Sequence, residues 1–471
     1  MFYASLFIAV VFFFAGRLLR LFEFRLESIP MGLWLVLSIH FVAMAEYVDA
    51  FTKVDKVTYL ATYFLLLLGI LCGGVAGKFL SPRGKAKLLP APKGRTTYYV
   101  AVAAILFYSV LFIVGYYQST GTLNPLAGIR EMLSGVNHGN EMWSGEGAAM
   151  AGADRAQVAA AGGLLVYISR WLLLLPLVFL AMLGSRRILW YAVPFFLLGL
   201  LQMTGTYTAR TVMGTWCGIL FLLINDYVRR FRTWELVSTV SVALFVFLFL
   251  HLARMGTVAS SDRNIGTVVA ENLESAMIDT FEPVGWCFIA SQTKRFTPPE
   301  TIDYFGSYFG ALIPRFFWPT KPYYAFEPDL TMAVTGEDIS GNNCVRTFTI
   351  AAEGFLIGGL PGVFFIAAAY TAFSVMLAAF LAQYHEFVLL RYWFILTSLI
   401  AVRCSLVSLV SGGFAVLIFP VIVIALIRRG LCGEALFPWR GKRKKRVTRL
   451  TDTTNLSAPL GEIEHPISHG R

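Results

Sequence analysis

The sequence predicts an all-α polytopic membrane protein with about eleven transmembrane helices and one large outward loop. Three observations predict it. Hydrophobic residues make up 57% of the 471-residue chain, charged residues 14%, and the mean hydropathy is +0.66. The apolar residues are gathered into runs long enough, or nearly long enough, to span a bilayer. Basic clusters recur after alternate runs, as the positive-inside rule requires.

In order, the runs are Phe2–Gly16, Met31–Tyr47, Val57–Leu80, Tyr98–Tyr117, Ala159–Leu183, Ile188–Thr206, Val212–Val228, Leu236–Leu252, Gly359–Ala382, Phe387–Val402 and Ser405–Ile427. The first has no basic residue before it and no small-residue cleavage site before Arg17, so it reads as a spanning helix and not as a removed signal peptide. Arg17, Arg20 and Arg25 follow it, Arg83 to Arg95 follow the third run, Arg186 and Arg187 the fifth, and Arg229 to Arg232 the seventh. Arg440 to Arg446 mark the tail. These clusters share one side if the N-terminus is outside and the tail inside; Lys53 and Lys56 are the exception.

The chain then divides into residues 1–253 with the first eight helices, a loop over 254–352, residues 353–427 with the last three helices, and a basic tail over 428–471. A loop of about a hundred residues is too long for a connector. Val268–Phe281 within it has helical spacing, and Pro283 is expected to interrupt that helix. A second outward loop, Gln118 to Gln157, carries the small-residue stretch Gly145–Gly152.

The formal charge of +11 resides mainly in loops and tail, and so reports orientation. Zinc-finger spacing and aromatic-interleaved basic helices are absent, so no nucleic-acid partner is expected. P-loop, GxSxG and HExxH patterns are also absent. No CxxC pair or ligand cluster suggests a metal, and no cofactor is expected. Cys287 and Cys344 are the cysteines of the long loop, and a disulfide between them is open if that loop lies in an oxidising space.

Cations and one carboxylate draw attention. The segment Ala311 to Pro322 holds three prolines, so it is a stiff extended loop from which Arg315 and Lys321 project beside Phe316, Phe317 and Trp318. It suits either a lipid-borne phosphate or plain interfacial anchoring. Arg210 falls at the outer end of a helix, where amides and dipole favour an anion; it reads as an anion site or as a snorkelling arginine. Arg170 sits near mid-run, where an arginine costs about 3 kcal/mol unless it meets a cavity or a partner such as Asp226 or Glu353. Arg254 and His251 end the eighth run. Asn342, Asn343 and Arg346 lead into Thr347–Gly354, so Glu353 opens an apolar helix. It is a general base, or a helix cap and ion-pair partner. Asp279 and Glu282 are the next carboxylates.

The Pro-Arg-x-x-Trp-Pro-x-Lys-Pro segment, Pro314 to Pro322, followed by Thr347 to Gly354 and the glycines Gly358, Gly359 and Gly362, resembles the Wzy-type O-antigen polymerases, which polymerise lipid-linked oligosaccharide repeat units. The sharp part of the resemblance covers Tyr304 to Val363. Some family members carry a glycine eleven positions after each of two outer arginines; here Phe221 follows Arg210 and Ile357 follows Arg346 at that spacing. The related ligases have a histidine in the large loop, and this chain has none between His251 and His385.

The resemblance implies a GT-C-like helical fold in the bacterial inner membrane with a periplasmic active loop. It implies a metal-independent glycosyltransferase that moves a growing glycan from undecaprenyl diphosphate to the non-reducing end of a new lipid-linked repeat unit. In that reading Glu353, Arg210 and Arg315 are catalytic. Arg170, Arg254, Lys321, Arg346, Trp318, Asn343 and Glu282 bind substrate. Partners would be undecaprenyl-diphosphate-linked oligosaccharide and membrane lipids, with a chain-length regulator as a further candidate. A ligase-like transferase and a lipid-oligosaccharide flippase are the alternatives; the long loop and the lack of repeat symmetry count against the second.

Overall fold

The computed structural model describes residues 1–23, 28–45, 55–81, 95–128, 174–183, 187–206, 210–228, most of 283–312, 348–402 and 409–432, with a few isolated positions besides. The elements among them are helical. In chain order they are α1 (Phe2–Leu18), α2 (Ile29–Met44), α3 (Lys56–Leu80), α4 (Arg95–Thr120), α5 (Arg187–Thr206), α6 (Arg210–Tyr227), α7 (Pro298–Leu312), α8 (Ile350–Leu381), α9 (Val388–Ala401) and α10 (Ala415–Cys432). Helical residues also occur at 174–182 and between 283 and 292. A π-helical turn, Leu409–Phe414, precedes α10.

α3 is the central element. Asp55 caps it, its carboxylate accepting from the Thr58 amide and, at 2.9 Å, from the Thr58 hydroxyl. Its 25 residues extend about 37 Å, more than a hydrocarbon core. Its main partner is the C-terminal part of α8. Gly69, Gly73 and Gly77 recur every fourth residue of α3, so they share one face and let the two backbones approach closely. α2 packs on α3, α8 and α9; α6 packs on α9, α5 on α6 and α4 on α5.

Apolar packing alone gives little direction between helices inside lipid. Side-chain hydrogen bonds tie the neighbours together. The Trp34 indole donates to Ala9 O at 3.0 Å, joining α2 to α1. The Tyr63 hydroxyl donates to Ser38 Oγ at 2.8 Å, and Tyr59 to Phe41 O, joining α3 to α2. Tyr370 donates to Ser398 O at 2.5 Å, joining α8 to α9. Tyr392 donates to Asp226, joining α9 to α6, and the Tyr98 and Tyr191 hydroxyls pair at 2.9 Å between α4 and α5. Each such bond is worth about 1 kcal/mol.

Tyr99, Phe107 and Tyr117 of α4 and Tyr3, Phe7 and Phe14 of α1 are exposed. An apolar helix that leaves such side chains outward needs an apolar solvent. The chain is therefore a membrane-associated protein, and α3, α4 and α8 are long and apolar enough to cross a bilayer.

The layout of about eleven transmembrane helices, GT-C-like, that the sequence suggested is corrected here. Among the described residues three helices have the length and composition of a span. Four further apolar helical stretches of 10–17 described residues are Phe2–Leu18, Ile29–Met44, Ile188–Met203 within α5 and Gly214–Asp226 within α6. Hydropathy counts apolar residues and is blind to where a helix stops. The run Phe387–Val402 forms α9 of 14 residues, about 21 Å long, and Ser405–Ile427 is divided by the π-helical turn. The runs Ala159–Leu183 and Leu236–Leu252 lie largely outside the described residues.

Val268–Phe281, the stretch whose helix Pro283 was expected to interrupt, lies outside the described residues; Pro283 itself is helical. Residues expected in the outward loop nonetheless enter the core. Phe288 is fully buried, stacked on Tyr59 with centroids 5.0 Å apart.

Candidate functional site

α8 is two helical arms. Gly358 (φ −155°, ψ 18°) and Gly359 (φ 63°, ψ −145°) leave helical geometry, and the positive φ at Gly359 suits glycine. Residues eight apart in an unbroken helix are about 12 Å apart. Here Gly354 and Gly362 touch: a Cβ on Gly354 would lie 2.6 Å from the Val363 nitrogen. The short arm, residues 350–357, therefore folds back against the long arm, residues 360–381, and Pro361 sits in the first turn of the latter.

The short arm is pinned at both ends. Thr349 caps it, accepting from the Ala351 amide at 3.3 Å, and the Ile350 amide donates to Val402 O at 3.1 Å. At the far end the Phe296 amide donates to Leu356 O at 2.9 Å. The Arg295 guanidinium lies over the turn; a Cβ on Gly359 would be 2.6 Å from its Nη2.

Glu353 projects from the middle of this arm and is fully buried. Its Oε1 accepts from the Tyr304 hydroxyl at 2.8 Å, and its Oε2 from the Leu406 amide at 2.7 Å. One carboxylate thus joins α7, the short arm and the connection between α9 and the π-helical turn. Tyr304 is placed by α7, whose start carries one half of a capping box: Thr297 donates its amide to Glu300 Oε2 at 2.6 Å, with Pro298 at the first helical position. Its ring packs on Phe296 at 5.5 Å.

Arg210 is the first residue of α6, so its backbone stands where the helix dipole favours an anion. Arg315, Arg170, Arg254, Lys321, Arg346, Trp318, Asn343 and Glu282 lie outside the described residues, as do His251 and Asp279. Asp226, weighed above as a partner of Arg170, accepts from Tyr392 and, at 3.0 Å, from Asn225 Nδ2. Glu353 is therefore the one expected catalytic residue whose side-chain surroundings are described. Tyr304 and the Leu406 amide had not been singled out; they stand far from Glu353 in sequence, and only the helical start at Thr297 to Glu300 gave a signal for α7.

Cys287 is a free thiol beside the arm, fully buried, donating to Val284 O at 2.9 Å. Cys344, whose disulfide with Cys287 the sequence left open, lies outside the described residues. Burial pushes the Cys287 thiol up to about 12, with the Thr349 hydroxyl opposing. Maleimide at neutral pH is expected to leave Cys287 unmodified in the folded protein and to label it after denaturation. Peptide mapping by mass spectrometry reads both; labelling of the native protein would contradict the burial.

Among the described residues no group of three or more His, Cys, Asp or Glu side chains could hold a metal ion. Fold and site together define a helical, membrane-associated protein with a buried carboxylate at a folded-back helical arm. Comparisons with protein-family models, with curated proteins and with solved structures return no match.

Proposed function

We propose that the chain is a Wzy-type oligosaccharide repeat-unit polymerase, a membrane glycosyltransferase acting at the periplasmic face of the bacterial inner membrane. The observation that carries the reading is Glu353, a buried carboxylate held by the Tyr304 hydroxyl and the Leu406 amide within the stretch of sequence that resembles this family. Orientation rests on the basic clusters, which place the tail in the cytoplasm.

In this reading the acceptor hydroxyl of a new lipid-linked repeat unit gives its proton to Glu353. Its oxygen attacks the anomeric carbon of the growing glycan. The bond from that carbon to the diphosphate oxygen breaks, and undecaprenyl diphosphate leaves. Arg210 and Arg315 stabilise the charge that develops on the leaving group, as fixed cations can without a metal. Arg170, Arg254, Lys321, Arg346, Trp318, Asn343 and Glu282 are the proposed substrate contacts, the aromatic ring stacking on sugar or holding lipid.

The test is a purified full-length protein supplied with an undecaprenyl-diphosphate oligosaccharide, reading product size. A ladder of repeat lengths is expected. Single-block transfer would indicate a ligase, and lipid flipping in sealed vesicles without elongation a transporter. Arg315→Ala should cut elongation by roughly tenfold to a hundredfold, the worth of a lost charge-assisted pair. Arg315→Lys should restore part of it, because the fork geometry is missing. A wild-type ladder from Arg315→Ala would remove that residue from the leaving-group site.

A further inference from the structure

A cavity of about 210 Å³ opens at one end of the helical bundle, away from the folded-back arm. The connector of α1 and α2, the last turn of α3, the last turns of α8 and the first turn of α9 enclose it. Ile29, Val375 and Ala379 give it an apolar wall, while Lys78, Arg391 and Glu23 give it charge.

Lys78 is held in place. Its ammonium donates to the carbonyl of Arg20, a residue with φ 54° in the turn that closes α1. An ammonium has three donors, so this anchor leaves others to a ligand. Arg391 brings a planar fork suited to phosphate oxygens. Two cations against one carboxylate leave one net positive charge, which complements a phosphodiester. Spans end at the headgroup level of a bilayer, and α3 and α8, which both reach this cavity, are two of the helices able to cross. A basic pocket between helices at that level with an apolar wall is the form that lipid headgroup sites take.

We propose that this cavity binds the headgroup of an anionic phospholipid of the surrounding bilayer. The phosphate sits between Lys78 and Arg391, and the glycerol and first acyl carbons lie along Val375 and Ala379. The site is independent of the polymerase reading, since it shares no residue with Glu353, Arg210 or Arg315. It anchors the ends of α3 and α8 to the membrane surface where the two helices pack.

The experiment uses the full-length protein in nanodiscs containing phosphatidylcholine, phosphatidylethanolamine and phosphatidylglycerol in equal parts. Native mass spectrometry reads the lipid that stays bound. The wild-type protein should retain phosphatidylglycerol over either zwitterionic lipid by roughly tenfold, as one charge-assisted contact predicts. Lys78→Gln should erase that preference, and Lys78→Arg should keep it. Lys78 is solvent-exposed, so both variants are expected to fold; Arg391→Lys, which preserves charge, is the second probe. Equal retention of phosphatidylethanolamine, or an unchanged preference in Lys78→Gln, overturns the proposal. A thermal shift produced by inorganic phosphate alone in phosphatidylcholine nanodiscs, matching that from phosphatidylglycerol, assigns the cavity to free phosphate and overturns the lipid.

Discussion

Replacing Gly73 by valine is expected to abolish accumulation of folded protein. The reason is the distance between α3 and the long arm of α8. A Cβ on Gly69 would lie 2.7 Å from the Ala367 Cβ and from Phe364 O. On Gly73 it would strike the Ala368 backbone, 2.9 Å from its Cα, and on Gly77 it would lie 2.8 Å from the Val375 Cβ. The facing residues, Ala367, Ala368, Thr371 and Ala372, are small as well, so neither helix has a long side chain that could swing aside. Backbone must move, and with it the most extensive helix pair of the bundle. Gly73→Ala should cost roughly 1–3 kcal/mol, the range for overpacking, and valine more. Gly214 is the control. A Cβ there meets nothing within 4 Å, so Gly214→Ala should be neutral or slightly stabilising through helix propensity. Thermal unfolding of the purified variants in detergent reads both. A native-like transition in Gly73→Val would mean that the two backbones do not approach as described.

Individual helices were legible in the sequence; their assembly was not. The run Val57–Leu80 differs from α3 by one residue, Ile188–Thr206 differs from α5 by one, and Phe2–Gly16 from α1 by two. Hydropathy works there because an unbroken apolar stretch between polar ends has few alternatives to a helix in lipid. It failed over the span count, because Met31–Tyr47 and Phe387–Val402 are apolar enough for a bilayer yet yield helices of 16 and 14 residues. It failed again at Ile357-Gly358-Gly359-Leu360-Pro361-Gly362. There the start of an apolar run was read, whereas the glycines and the proline mark a sharp turn within α8.

The candidate site divides in the same way. That Glu353 stands in the first turn of a helix was readable from the polar run before it. Its burial was not, because charge and position alone favour a solvated acid at a helix end. Its donors come from residues 49 and 53 positions away, and one of them is a backbone amide, which has no sequence signature. The cations of the extended loop, Arg315 and Lys321, and the mid-run Arg170 fall outside the described residues, so their relation to Glu353 is a matter for the elongation assay.

Glu353→Gln is expected to give a folded protein that binds lipid-linked donor and does not elongate it. Among the described residues the Tyr304 hydroxyl and the Leu406 amide meet this carboxylate, and they differ in what they can become. The Leu406 amide can only donate. The Tyr304 hydroxyl can donate or accept. A glutamine can therefore turn its carbonyl oxygen to Leu406 and its NH₂ group to Tyr304, keeping both contacts. Alanine cannot. It leaves the Tyr304 hydroxyl and the Leu406 amide without this acceptor, roughly 1–3 kcal/mol for each, and adds a cavity. Glu353→Ala should therefore unfold well below the wild type, with Glu353→Gln between them. Tyr304→Phe provides the complementary test, since it keeps the ring against Phe296 and removes one donor. It should lower stability by about 1 kcal/mol and leave elongation measurable, because the carboxylate and its basicity survive. A structural carboxylate and a catalytic one now separate. If Glu353 only clamps α7 and the short arm, elongation per folded molecule is the same in Glu353→Gln as in wild type. If it takes the proton of the acceptor hydroxyl, elongation falls by roughly a hundredfold or more, within the range for a lost general base, while donor binding persists. Donor affinity, product ladder and melting temperature measured on one preparation decide between them, and normal elongation by Glu353→Gln would take this residue out of the mechanism.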